Sequence, residues 1–247
     1  MRYVEGSPNG FDFDFTSTFG SLVVAHAISP STTVVAALIA ETGDGKLHFN
    51  DGTLKNSGVG GLVGAIVKLN DGLDLSVIGG AEWLNYKTTR SGGTYKGEYD
   101  ALRYMVDAQL HGVHDAGTYF VDYSGGLRFI HQKSDSYQEY SGGVPFADVP
   151  ESDFTALTGL GNVKIGTVMQ GFTPYVEATG YVNFIDDTDL SAVLGTAEPG
   201  KESVFGRLGV GLEMNVASGM LSLTTGVFAG QGGFQGVDGG FKFVKTF

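Results

Sequence analysis

The sequence predicts an all-β protein, a twelve-stranded antiparallel transmembrane β-barrel of the outer-membrane type, and three observations carry that reading. Apolar and polar residues alternate with period two through nearly all of the 247 residues, the pattern of strands that face two different environments. Most alternating runs exceed about ten residues, whereas strands of soluble proteins usually run about five or six. Between the runs, tight turn signals alternate with longer polar stretches, as expected of a barrel with short connections at one rim and long ones at the other.

The strands are expected near 1–6, 12–28, 32–42, 57–69, 73–88, 100–113, 118–132, 153–168, 173–186, 203–217, 220–230 and 235–247. In the second and third, Leu22-Val23-Val24 and Val34-Val35-Ala36-Ala37 are apolar on both faces, so the pattern does not fix their register. The sixth sets Leu102, Tyr104, Val106, Ala108 and Leu110 against Arg103, Asp107 and Gln109. The seventh sets Tyr119, Val121, Tyr123, Leu127 and Phe129 against Asp122, Ser124, Gly126, Arg128 and Gln132. The ninth opposes Val176, Ala178, Val182 and Phe184 to Glu177, Thr179 and Asn183, and the tenth opposes Leu208, Val210 and Leu212 to Arg207 and Glu213. Turn chemistry marks Ser29-Pro30-Ser31, Asn70-Asp71-Gly72, His114-Asp115-Ala116-Gly117, Gln170-Gly171-Phe172 and Ser218-Gly219. Longer loops are expected at 42–56, 89–99, 133–152 and 187–202, so 1–247 reads as one barrel domain.

Composition narrows the function. The chain has no Cys, which removes disulfides, thiolate metal sites and cysteine nucleophiles. A net charge of -12 repels phosphate backbones, so no nucleic-acid partner is expected. Gly numbers 40, about 16% against an average near 7%, yet only 6 Pro and 12% aromatics argue against disorder. No apolar run reaches the roughly 18 residues of a membrane helix, and no basic-then-apolar signal follows Met1.

With the strands placed, the chain resembles the translocator, or β-domain, of bacterial autotransporters, the type V secretion family. The resemblance rests on Thr173-Pro174-Tyr175-Val176-Glu177, on Gly206-Arg207-Leu208-Gly209-Val210-Gly211-Leu212-Glu213, and on the stretch from Gly240-Phe241-Lys242-Phe243 to Phe247. It implies a monomeric barrel in the bacterial outer membrane that supports export of an N-terminal passenger not present in this chain. It also implies partners, namely outer-membrane lipid, the passenger polypeptide and the barrel assembly machinery, which would read Phe241, Phe243 and Phe247 as an assembly signal. Two features depart from the family pattern: strand-like Arg2-Tyr3-Val4 starts at once with no Asn-Asn pair anywhere, and Lys245 stands where the family favours an aromatic. The alternative from another class is a stand-alone barrel acting as a passive pore or surface adhesin.

The candidate site is the polar face of the strands. Glu82, Arg103, Asp107, Asp122, Arg128, Lys164, Glu177, Arg207, Glu213, Asp238 and Lys242 are expected to line the lumen. Trp83, Tyr119, Phe184 and Phe247 are the expected interface aromatics. No enzyme activity, metal or cofactor is expected. Gly195-Thr196-Ala197-Glu198-Pro199-Gly200-Lys201 matches G-x-x-x-x-G-K, but Glu202 replaces the magnesium-binding hydroxyl and a strand pattern follows. His111 and His114 would point to opposite faces of a strand. Asp186, Asp187 and Asp189 read as a solvated acidic loop, without the spacing of a calcium loop. His131 with Asp135 is the one acid-base pair worth weighing, in a hydrolase reading that a chance neighbour explains as well.

Overall fold

The computed structural model describes residues 1–6, 12–188, 204–216 and 219–245. Fourteen strands form among them: β1 (Arg2–Gly6), β2 (Phe13–Ser29), β3 (Thr32–Leu47), β4 (Gly52–Asn70), β5 (Leu73–Arg90), β6 (Tyr95–Asp115), β7 (Tyr119–Ser134), β8 (Tyr137–Ser141), β9 (Val144–Val149), β10 (Ser152–Thr167), β11 (Phe172–Thr188), β12 (Val204–Val216), β13 (Gly219–Gly230) and β14 (Gln235–Lys245). Twelve make a ring. Each pairs antiparallel with the next along the chain, β10 follows β7 across a β8–β9 hairpin, and β1 joins β14 to close the wall. Closure is what a lipid-spanning sheet requires, because hydrocarbon offers no partner to an unpaired N–H or C=O.

The wall is inside out relative to a soluble protein. Leu22, Leu38, Val63, Trp83, Phe184, Leu208 and Phe241 face outward, and even the least exposed of them, Trp83, keeps 53% of its surface accessible. In water that area would drive aggregation, whereas lipid solvates it. No helix among the described residues is long and apolar enough to cross a membrane. The register left open by the sequence is set by pairing: Leu22 lies opposite Leu38 and Val24 opposite Ala36 on the outer face, while Val23 meets Ala37 and Ser21 meets the buried Ile39 on the inner one.

The wall is taller than expected on the long-connection side. Most of 42–56 and 89–99, read as loops from sequence, is strand: β3 runs on to Leu47, β4 starts at Gly52, β5 reaches Arg90 and β6 begins at Tyr95. The stretch 133–152 likewise holds the β8–β9 hairpin. A tilted strand needs only about ten residues to span hydrocarbon. Here β4, β5 and β6 have 19, 18 and 21. Their upper parts turn Leu54, Tyr86 and Tyr99 inward and Lys55, Lys87 and Glu98 outward, the reverse of the pattern that reveals a strand in lipid. The G-x-x-x-x-G-K run, Asp189, Ser218 and Phe247 lie outside the described residues.

Inward glycines allow close approach of strands. At Gly80 a Cβ would collide with the Gly61 carbonyl oxygen of β4, a backbone atom that cannot swing aside. Gly80→Ala is therefore expected to lower stability by about 1–3 kcal/mol through overpacking. Urea unfolding of the refolded barrel checks this, and an unchanged midpoint would contradict it.

Candidate functional site

Among the described residues, the inner face carries charged groupings, four of which draw on residues of adjacent or nearby strands that point the same way. In the first, Arg103 of β6 donates from Nη1 to Glu82 Oε2 of β5 and to Glu41 Oε2 of β3, both at 3.1 Å. Its Nε reaches Gln132 Oε1 at 3.2 Å, and Asn56 Nδ2 donates to Glu41 Oε1 at 2.6 Å. Glu82 is 2% exposed. In the second, Arg128 of β7 donates from Nε to Asp107 Oδ2 of β6 at 2.8 Å. In the third, Lys164 of β10 bridges Glu213 of β12 at 3.1 Å and Asp122 of β7 at 3.6 Å, and Asp122 also meets His111 at 3.1 Å. In the fourth, Arg207 of β12 pairs with Glu177 of β11 and, through Nη2 at 2.7 Å, with Asp238 of β14.

Ten of the eleven residues proposed from sequence for the lumen thus take part in these groupings. Lys242 shares the inward parity, opposite Ser222, which in turn faces Glu213. Sequence reasoning missed Glu41, Asn56 and Tyr86, whose hydroxyl accepts from Arg103 Nη2 at 3.4 Å, and it set Gln132 on the polar face of its strand without naming it among the lumen residues. Glu41 follows Val35, Ala37 and Ile39 on one face of its strand, so that face read as apolar; the signal was a lone carboxylate ending an apolar row.

Trp83 lies on the outer face between Val59 and Leu102, and Phe184 is exposed on the same side of the wall. Tyr119 is half-exposed at the start of β7, beside a short turn. Phe241 and Phe243 are exposed on the outer face of β14. His111 points inward as described, whereas His114 is exposed. His131 takes the outward parity of Phe129, and its Nδ1 contacts Thr155 Oγ1 at 3.0 Å. Asp186 and Asp187 belong to β11, not to a loop. Among the described residues no group of three metal-ligating side chains comes together.

The outer mouth is partly roofed. Leu84, fully buried, packs with Tyr86 and Ala101 on the inner face, with Leu54 and Tyr99 against them. The β8–β9 hairpin leans onto this cluster: Tyr137 stacks on Tyr99 at 4.8 Å, and Tyr99 on Tyr86 at 5.0 Å. Arg90 ties the hairpin down through Nε to Glu139 Oε1 at 2.9 Å and lies over the Tyr95 ring at 4.4 Å. Sequence reasoning had no route to this contact, because Arg90 and Glu139 fall in stretches read as loops.

Burial in that stack, with Glu139 adding to it, pushes the Tyr137 phenol up to about 12. A raised phenol favours the neutral, packed form. Its contribution is complete below the ordinary tyrosine value of 10.0 and is lost as pH rises through about 12. Absorbance titration of the protein against Tyr137→Phe is expected to show one phenol missing from the late-titrating set. If the missing phenol titrates near 10 instead, the hairpin does not pack as described.

Comparison with known proteins points the same way as the geometry. Residues 2–227 match the family model for the autotransporter beta-domain. No curated protein matches the sequence. The fold is similar to the translocator domain of autotransporter NalP from Neisseria meningitidis, with a TM-score of 0.81 at 13% identity over 97% of this chain and 84% of that one. It is also similar to the transport unit of autotransporter AIDA-I from Escherichia coli, with a TM-score of 0.70 at 14% identity over 100% and 88%. The beta domain of the Bordetella autotransporter BrkA gives 0.66 at 14% identity over 98% and 96%.

Proposed function

The chain belongs to the autotransporter β-domain family, and from that premise we propose that residues 1–247 act as one monomeric barrel domain through which an N-terminal passenger leaves the cell. The protein is an outer-membrane translocator pore of the type V secretion class. The observation that supports the finer reading is the inner lining. Every cation of the four groupings is paired, Arg103 with Glu41 and Glu82, Arg128 with Asp107, Lys164 with Glu213 and Asp122, and Arg207 with Glu177 and Asp238, which leaves carboxylates in excess. Such a lining is wettable and acidic, and these groupings offer a moving polypeptide no unpaired cation to stick to. In this reading the passage carries no chemistry of its own. Outer-membrane lipid meets the apolar outer face, and the assembly machinery reads the Phe241 and Phe243 edge of β14.

A reporter domain fused ahead of Met1 tests this. Expected is a reporter accessible to protease at the surface of intact cells, together with a folded barrel. A folded barrel with the reporter retained in the periplasm would overturn the reading and favour a passive pore, whose signature would be steady single-channel conductance in a planar bilayer.

A further inference from the structure

The outer face of β2 to β6 changes chemistry row by row above the lipid belt. Cross-strand neighbours give an apolar row of Ala40, Val59, Trp83 and Leu102. One row up they are Thr18, Thr42, Ser57 and Asn85, hydroxyls and an amide, with Asp100 at the end held by Asn85 Nδ2 at 3.0 Å. The row above that reads Asp44, Lys55, Lys87 and Glu98. Lys46 and Lys96 stand one row higher, on β3 and β6. Four of the 15 basic residues thus gather on adjacent strands of a chain whose net charge is -12.

Lys55 and Lys87 lie directly opposite each other, an arrangement of like charges that costs stability unless something compensates it. Each ammonium has a carboxylate on its far side, Lys55 Nζ with Asp44 Oδ2 at 2.9 Å and Lys87 Nζ with Glu98 Oε1 at 3.5 Å. The row therefore runs negative, positive, positive, negative, and among the described residues no anion stands between the two cations. A groove of about 480 Å³ opens over these rows, its walls including Thr16, Thr18, Thr42, Ser57 and both lysines, whose side chains stay more than half exposed. The overall negative charge does not decide what this groove attracts, because salt screens charges beyond about 8 Å.

We propose that this groove binds a phosphate group carried by a glycolipid of the outer leaflet. Lys55 and Lys87 close on the phosphate from two sides, which turns their mutual repulsion into a shared attraction. The row from Thr18 to Asn85 meets the hydroxyls and amides of the sugar, and the acyl chains lie against Val59 and Trp83. The order of such a lipid, hydrocarbon, then hydroxylated sugar, then phosphate, repeats the order of the rows on the wall. Four residues separate Trp83 from Lys87, about 10 Å of height along a tilted strand, and flexible lysine stems shorten that reach. The groove is also of a size that takes a whole headgroup and not only a bare phosphate. The inference needs the wall to lie in the outer membrane and does not depend on what the pore transports.

Trp83 is the sole Trp of the chain and sits two rows below Lys87 on the same face, so its fluorescence reports on lipid at the groove. The barrel is folded in phosphatidylcholine vesicles containing lipid A with a fluorescent acyl chain, either phosphorylated or dephosphorylated, and energy transfer from Trp83 is measured. Half-maximal transfer is expected at a lipid A fraction at least about fivefold lower for the phosphorylated form, the worth of one cation near an anionic surface. Lys55→Gln with Lys87→Gln is expected to erase that preference. Lys133→Gln, whose partner is Glu151 on another part of the rim, should leave it intact. A heat-modifiable band on a gel confirms that each variant is folded. Equal transfer from the two lipids, or a preference that survives the double variant, would overturn the assignment. So would a preference abolished by inorganic phosphate at the concentration of the lipid, since the groove would then take the free ion.

Discussion

Arg207→Met is expected to cost about 3–5 kcal/mol, the usual penalty for removing one partner of a buried ion pair and leaving the other uncompensated. Arg207 is 11% exposed, and its guanidinium is the shared partner of Glu177 and Asp238, which are 17% and 13% exposed. Without it, two carboxylates face each other across β11 to β14. The cost therefore belongs to the orphaned anions more than to the lost attraction. Adding Glu177→Gln and Asp238→Asn to Arg207→Met should recover most of the loss. The measurement is the temperature at which the folded, heat-modifiable band disappears on a gel. A single variant as stable as the parent would show that the grouping is fully hydrated and holds nothing together.

Val63→Arg should cost about 2–4 kcal/mol, because a cation on the lipid face near the midplane has neither water nor a counter-ion. Val63 is 68% exposed, sits mid-strand in β4 opposite Ala36 and Gly79, and shares its face with Val59 and Trp83. Val63→Leu is the control and should be near neutral. Urea midpoints in vesicles decide the matter. An arginine tolerated here would mean that this face meets protein or water instead of lipid.

The lipid-spanning wall was legible in sequence because lipid outside and polar groups inside impose strict alternation, seen clearly in Leu102 to Leu110 and in Tyr119 to Phe129. The polar partners could be named for the same reason: Asp107 and Arg128 fall opposite each other once register is known. What stayed hidden obeys other physics. In the upper reaches of β4 to β6 the contrast is reversed, with Leu54, Tyr86 and Tyr99 inward and Lys55, Lys87 and Glu98 outward. The Arg90–Glu139 pair joins residues 49 apart through a hairpin whose fold-back no periodicity encodes. Leu22-Val23-Val24 is apolar on both sides, so only the partner strand decides which residues face lipid.

Closure by β1 has a consequence for how the molecule is made. Every other ladder of the wall joins strands that follow one another along the chain, with one hairpin interposed between β7 and β10. Those contacts are local and can zip in succession, each step closing only a short loop. The β1–β14 seam is different, since Gln235 and Glu5 are 230 residues apart and meet through a side-chain hydrogen bond. Joining the two ends is a single late, entropically demanding event that turns a curled sheet into a cylinder. Lesions at the seam should therefore slow the final step of folding, whereas lesions such as Gly80→Ala should disturb the growth of the sheet itself.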